Sequence, residues 1–158
     1  MEWDLQQIGF DYTYDKRLTD RLKSGSVSSI REHLQAKEEF QRRSVRFIEN
    51  HDEDRAVTAL GREKAFPAAV IMSTLQGMHF YHDGQFDGKK IRLPVQLGRE
   101  PIETLDENIH NFYDKLLYII KDDVFEAGEW ALLEPFSVWE GDETYKNILA
   151  WEWKLGTE

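Results

Sequence analysis

The chain has 158 residues, 41% hydrophobic and 13% aromatic, enough apolar surface for one folded domain and too much for a disordered chain. A formal net charge of −10 argues against nucleic acid and anionic membranes as partners, and the lack of cysteine excludes disulfides and thiolate metal sites. No run approaches the ~20 apolar residues of a membrane span, and no apolar signal segment opens the chain, so a soluble, cytoplasmic protein is expected.

Both ends are abrupt. Met1-Glu2-Trp3-Asp4 runs straight into an apolar stretch, and Trp151-Glu152-Trp153-Lys154-Leu155 reads as a strand cut near its completion. The chain is therefore expected to be a piece of something longer.

From the N-terminus, residues 9–14 alternate as a strand with Phe10, Tyr12 and Tyr14 on one face. Leu18 and Leu22 mark a short helix that Gly25 stops. Ser29 and Glu32 have capping-box spacing and open a helix carrying Ile30 and Leu34, with Phe40 beyond them. A second strand spans 45–50, with Val45, Phe47 and Glu49 on one face and Arg46, Ile48 and Asn50 on the other. A helix over 65–74 follows, in which Pro67 fits only near the first turn. Gly77 precedes a third strand at 78–82, and a long polar loop runs over 83–101.

Thr104 and Glu107 form a second capping-box pattern. It opens a helix striped by Ile109, Phe112, Tyr113, Leu116, Leu117 and Ile120. Beyond residue 122 the period falls to two around 130–133 and 148–151, the pattern of a small antiparallel unit. The division expected is 1–122 and 123–158. About three strand–helix units in a row imply parallel strands joined by right-handed crossovers, an α/β fold. Short strands of this kind suit a (β/α)8 barrel, of which three units are only a part.

Phe47-Ile48-Glu49-Asn50-His51-Asp52 ends the second strand in amide, imidazole and carboxylate. Active sites of (β/α)8 enzymes lie at that end of the strands. A carboxylate there accepts hydrogen bonds from hydroxyls and stabilises positive charge, and an imidazole donates to a hydroxyl.

This segment resembles the F-x-x-N-H-D motif that ends the seventh barrel strand in the α-amylase family of glycoside hydrolases. Residues 10–16 are similar to that family's sixth strand, residues 78–88 to its eighth strand and following loop, and residues 132–153 to the start of its C-terminal β domain. Gln76-Gly77 departs from the family's frequent Pro-Gly. The resemblance implies a partial barrel active on an α-glucan or oligosaccharide. Asp52 would be the transition-state carboxylate, with His51, Asn50 and Gln85 contacting substrate and no cofactor or metal required. The family's retaining reaction also needs a nucleophilic Asp and an acidic Glu from two earlier strands. Neither can be assigned here, so the chain is expected to be inactive alone and to pair with a missing barrel half or a second copy of itself. The alternative expectation is a non-catalytic module that folds, oligomerises and at most binds sugar weakly.

Other constellations weigh less. By strand parity Glu49 points away from Asp52, and Arg55 is expected to pair with a local acid. His79 and His82 face opposite sides of a strand, so structural roles are expected rather than a metal pair. The calcium-loop likeness at 83–88 fails because its closing position falls on Pro94. Trp130, Trp139, Trp151 and Trp153 fit core packing better than sugar stacking. Lys89, Lys90, Arg92 and Arg99 make a modest basic patch that reads as a solvated loop.

Overall fold

The computed structural model describes residues 1–94, 96 and 99–156. Three short strands, β1 (Thr13–Tyr14), β2 (Ser44–Arg46) and β3 (Met78–His79), form a parallel sheet in the order β1-β2-β3. Thr13 pairs with Ser44, and Val45 with Met78. The ladders are shorter than the apolar runs predict. Thr13 N–H to Arg43 O, Asp15 N–H to Val45 O and Phe80 N–H to Arg46 O extend the pairing past the strand ends. Residues 44–50 are nonetheless buried throughout, as expected of a central parallel strand covered on both faces.

Helices fill the crossovers: α1 (Glu2–Gln7) before β1, then α2 (Lys16–Ser24), α3 (Val27–Leu34) and α4 (Glu38–Arg42) between β1 and β2. Between β2 and β3 lie α5 (Ala56–Ala59) and α6 (Arg62–Thr74), and α7 (Glu107–Ile119) and α8 (Val124–Ala127) follow β3. Two of the predicted caps move. Ser26, three residues before Ser29, caps α3 by accepting the Ser29 N–H at 3.2 Å. Asp106, not Thr104, caps α7 by accepting from Asn108 and Ile109. In both cases the earliest oxygen that reaches the free N–H groups of the first turn takes the position. α6 begins at Arg62, so Pro67 lies in its second turn. There the missing proline N–H leaves the Glu63 carbonyl without its usual donor. Burial of Ala65, Ala68, Ala69 and Met72 offsets that loss.

One core joins Ile48 of the central strand to α5, α6 and the Ile109, Tyr113 and Leu116 stripe of α7. A second gathers Leu18, Ile30, Leu34 and Leu75, with Trp130, Leu132, Leu149 and Trp151 packed against it. Those last four belong to or flank the antiparallel pair β4 (Glu129–Leu133) and β5 (Ala150–Lys154). The hairpin thus packs on the helices of the parallel unit. Trp153 adds an indole N–H bond to the Thr74 carbonyl at 2.6 Å. Three of the four tryptophans weighed as sugar platforms are packing residues, while Trp139 stays 64% exposed.

A buried polar cluster braces the helices against β2. Arg46 is fully buried; its guanidinium meets the Asp15 carboxylate and the Gln41 side chain and donates to Gln76 O at 2.9 Å. Asp15 also caps α2 through Leu18 N–H and bonds His33 Nε2 at 2.8 Å. Burial alone would push the Asp15 carboxyl up, but the His33 bond and the Arg46 charge outweigh it and hold the group below the usual carboxylate range.

Candidate functional site at the C-terminal end of the sheet

After β2 and the buried residues 47–49, the chain turns outward through residues 50–55. Asn50 is buried, and its Oδ1 accepts the backbone N–H groups of Asp52 at 2.9 Å and Glu53 at 3.0 Å. This is the helix-cap and turn chemistry of a short amide, which holds the loop in one conformation. His51 and Asp52 stand on the outside of that turn, their side chains 53% and 72% exposed. His51 Nε2 lies 3.2 Å from Asp52 Oδ2. An open carboxylate beside an imidazole offers acceptors and a donor to a hydroxylated ligand.

Three anchors fix this loop. Glu53 bonds Lys23 at 2.6 Å and Lys16 at 3.0 Å, tying the loop to α2. Burial would raise the Glu53 carboxyl, but the two ammonium groups overcome it and hold it low. Asn50 supplies the second anchor. The third is Glu49, buried to 1%, whose two oxygens accept from Arg55 Nη1 at 2.8 Å and from Ala56 N–H at 2.6 Å. Glu49 therefore closes the loop on itself, turned away from Asp52, and Arg55 has the acidic partner its sequence predicts.

Arg55 also reaches across to the segment after β3. It donates to Asp83 O at 2.6 Å and Ile91 O at 3.2 Å, and Nη1 lies 2.9 Å from His82 Nδ1. Thr58 adds a bond to Lys90 O at 2.8 Å. The loops that follow β2 and β3 thus form one bonded unit. The polar loop predicted over 83–101 begins with the tight turns of residues 83–88; positions 95, 97 and 98 lie outside the described residues.

Gln85 is not on the open wall. It is 3% exposed, with Oε1 accepting the His82 N–H at 3.2 Å and Nε2 donating to the Tyr113 hydroxyl at 2.8 Å. Both ends of its amide are engaged, so it braces the β3 loop against α7. Burial pushes the Tyr113 hydroxyl far above its ordinary range, so the phenol stays protonated. His79 bonds Leu75 O at 2.9 Å, and burial pushes its imidazole below the usual value. His79 and His82 thus have unrelated partners. Among the described residues no group of three or more His, Asp and Glu stands together as a metal site.

An aromatic wall lies along one face of the sheet. Tyr14 packs edge-on against Phe47 at 5.2 Å and Phe80 at 6.0 Å, and the Phe80 and His82 rings stack at 6.5 Å. Phe47 is buried while Tyr14 remains 45% exposed. Sequence reasoning singled out Asn50-His51-Asp52 from its motif as the end of a strand, whereas the strand stops at Arg46 and the segment is a turn. It missed the Glu49–Arg55–His82 bridge, because nothing in the spacing shows that residues 27 positions apart meet.

No family model matches the sequence, and no curated protein does. Solved structures match well. A noncanonic maltogenic α-amylase, AmyB, from Thermotoga neapolitana superposes with a TM-score of 0.69 at 24% identity, over 96% of this chain and 37% of that one. An α-amylase from H. orenii gives 0.67 at 22% identity, over 92% and 37%. A cyclic α-maltosyl-(1→6)-maltose hydrolase from Arthrobacter globiformis, in complex with maltose, gives 0.64 at 16% identity, over 78% and 32%. The fold is that of a part of these enzymes, and the chain spans about a third of their length.

Proposed function

We propose that the chain forms the part of an α-amylase-type (β/α)8 barrel that holds its sixth to eighth strands, and that it acts on α-linked glucans within a complete site. The observation that carries this reading is the placement of His51 and Asp52. The Asn50-His51-Asp52 sequence leaves the middle strand of three parallel ones at its C-terminal end, where barrel enzymes bind substrate. The likeness in fold to two α-amylases and a cyclic maltosyl-maltose hydrolase supports it.

In this reading Asp52 holds sugar hydroxyls and stabilises positive charge at the reacting carbon, and His51 donates to a neighbouring hydroxyl. Its exposure is an open subsite, and the three anchors of its loop are preorganisation. The nucleophile and the general acid of a retaining reaction are assigned to no residue of these 158. The partner that completes the site is the rest of such a barrel.

Titration of maltotriose followed by NMR tests the reading. Binding with a dissociation constant of roughly a millimolar or weaker, perturbing His51 and lost in Asp52→Ala, is the expected result. Micromolar affinity would favour a dedicated sugar-binding module instead, and no perturbation near Asp52 would remove the sugar assignment.

A further inference from the structure

His82 stands at the same end of the sheet as Asp52, three residues past β3, and its environment prescribes where its proton sits. Its Nδ1 lies 2.9 Å from Arg55 Nη1. A guanidinium donates and never accepts, so a proton on Nδ1 would set two donors against each other. Glu49 Oε1, the acidic group nearest that nitrogen, is 3.6 Å away and already takes the Arg55 bond at 2.8 Å. The lone pair of Arg55 Nη1 is delocalised over the guanidinium, and its two hydrogens serve three acceptors, Glu49 Oε1, Asp83 O and His82 Nδ1, so the contact to His82 is a shared donor bond. With one ring hydrogen, the imidazole therefore carries it on Nε2.

That hydrogen has no bonded acceptor among the described residues, and the side chain keeps 22% of its surface exposed. The ring itself cannot swing freely. Phe80 stacks on it with planes 20° apart, and its backbone N–H is held by Gln85. A partly exposed N–H donor on the loop that Arg55 ties to the Asn50–Arg55 turn, at the end of the sheet that also carries the Asp52 carboxylate and the His51 imidazole, suits a ligand that both donates and accepts, which is the chemistry of a polyol. An anionic ligand would meet Asp52 without compensation.

We propose that His82 is a ligand-contacting residue of this site, its Nε2–H donating to a hydroxyl oxygen of the bound sugar, with Arg55 as the positioning residue that sets its tautomer. The sugar identity of the ligand rests on the function proposed above; the tautomer does not.

Long-range proton–nitrogen NMR on the whole chain reads the tautomer directly. His82 should show Nε2 protonated and Nδ1 as the acceptor, and Arg55→Gln should shift His82 toward a mixture of both forms. Titration with maltotriose to about 50 mM should move the signals of His51 and His82 together. His82→Phe should weaken binding about three- to tenfold, the worth of one neutral hydrogen bond. His82→Gln, whose amide keeps a donor at nearly the same reach, should stay within about twofold of the parent. A protonated Nδ1 overturns the proposal without any sugar. So does a titration that moves His51 and leaves His82 still, or a Gln variant as weak as the Phe variant. Silence at both histidines defeats the sugar reading and this contact together. Where His82→Phe fails to fold, the tautomer and the parent titration decide.

Discussion

The side-chain oxygen of Asn50 accepts the backbone N–H of Asp52 at 2.9 Å, so the residue that precedes the exposed pair is the one that shapes its loop. Asn50 is buried while Asp52 is open. The two divide the work of the turn: one holds the backbone, the other stands open to solvent. Asn50, expected to touch substrate, has its side-chain oxygen on the Asp52 and Glu53 N–H groups.

The first prediction follows from that division. Asn50→Ala removes the acceptor for two half-buried N–H groups and should lower the unfolding free energy by about 1 kcal/mol. Asn50→Asp, which keeps the acceptor, should lose less. Urea denaturation of the three proteins compares them, and an alanine variant as stable as the parent would show that the loop is held by Glu49 and Glu53 alone.

Stability should depend on pH through Asp15. Its carboxyl is held below the usual range in the folded protein, so the folded state keeps it ionised at pH values where the unfolded chain takes up a proton. The stabilisation is complete above the ordinary carboxylate value, about pH 4, and is lost as pH falls through the lowered folded value. Glu53 acts in the same sense through Lys23 and Lys16. Asp15→Asn leaves the buried Arg46 unpaired and should cost roughly 3–5 kcal/mol near neutrality. It should also flatten the acid limb. Denaturation midpoints between about pH 3 and 7 measure both, and an acid limb unchanged in the variant would rule Asp15 out as its source.

Turnover by this polypeptide alone is not expected. The retaining reaction needs two carboxylates that the proposed function places elsewhere, and loss of the reacting groups removes most of the acceleration. Incubation with maltooligosaccharides or an aryl α-glucoside should release no product. Hydrolysis that disappears in Asp52→Asn would overturn this expectation and place the whole reaction within these residues.

Assembly is the last prediction. Among the described residues β1 and β3 each pair with β2 alone, which leaves two parallel edges without a strand. Helix α1 lies against β1 and seals part of it, with Gln6 donating to Thr13 Oγ1 at 2.9 Å and Arg43 O at 3.0 Å. Phe10, Tyr12 and Tyr14 still remain about half exposed. Open edges and an aromatic face invite a second copy, most simply with two-fold symmetry. Light scattering at about 100 μM should show a dimer or larger species. A monodisperse monomer that unfolds cooperatively would mean that α1 caps the edge well enough alone.

The sequence by itself determined the order of parallel strands and helices, the amphipathic stripe of α7, the antiparallel pair and the place of the Asn50-His51-Asp52 motif after the second strand. Each of these is written in neighbouring residues: a period of two or of three to four, or a motif read in one stretch. What only the tertiary structure decided involves partners distant in the chain. Arg46 looks like an outward strand residue until Asp15, Gln41 and Gln76 close around it. Gln85 looks available to a ligand until His82 and Tyr113 take both ends of its amide. His82 passes for a structural histidine until Arg55 is seen on one nitrogen and, among the described residues, no partner on the other. A buried polar group must be satisfied, but which distant group satisfies it depends on how the helices cross the sheet, and no local pattern records that.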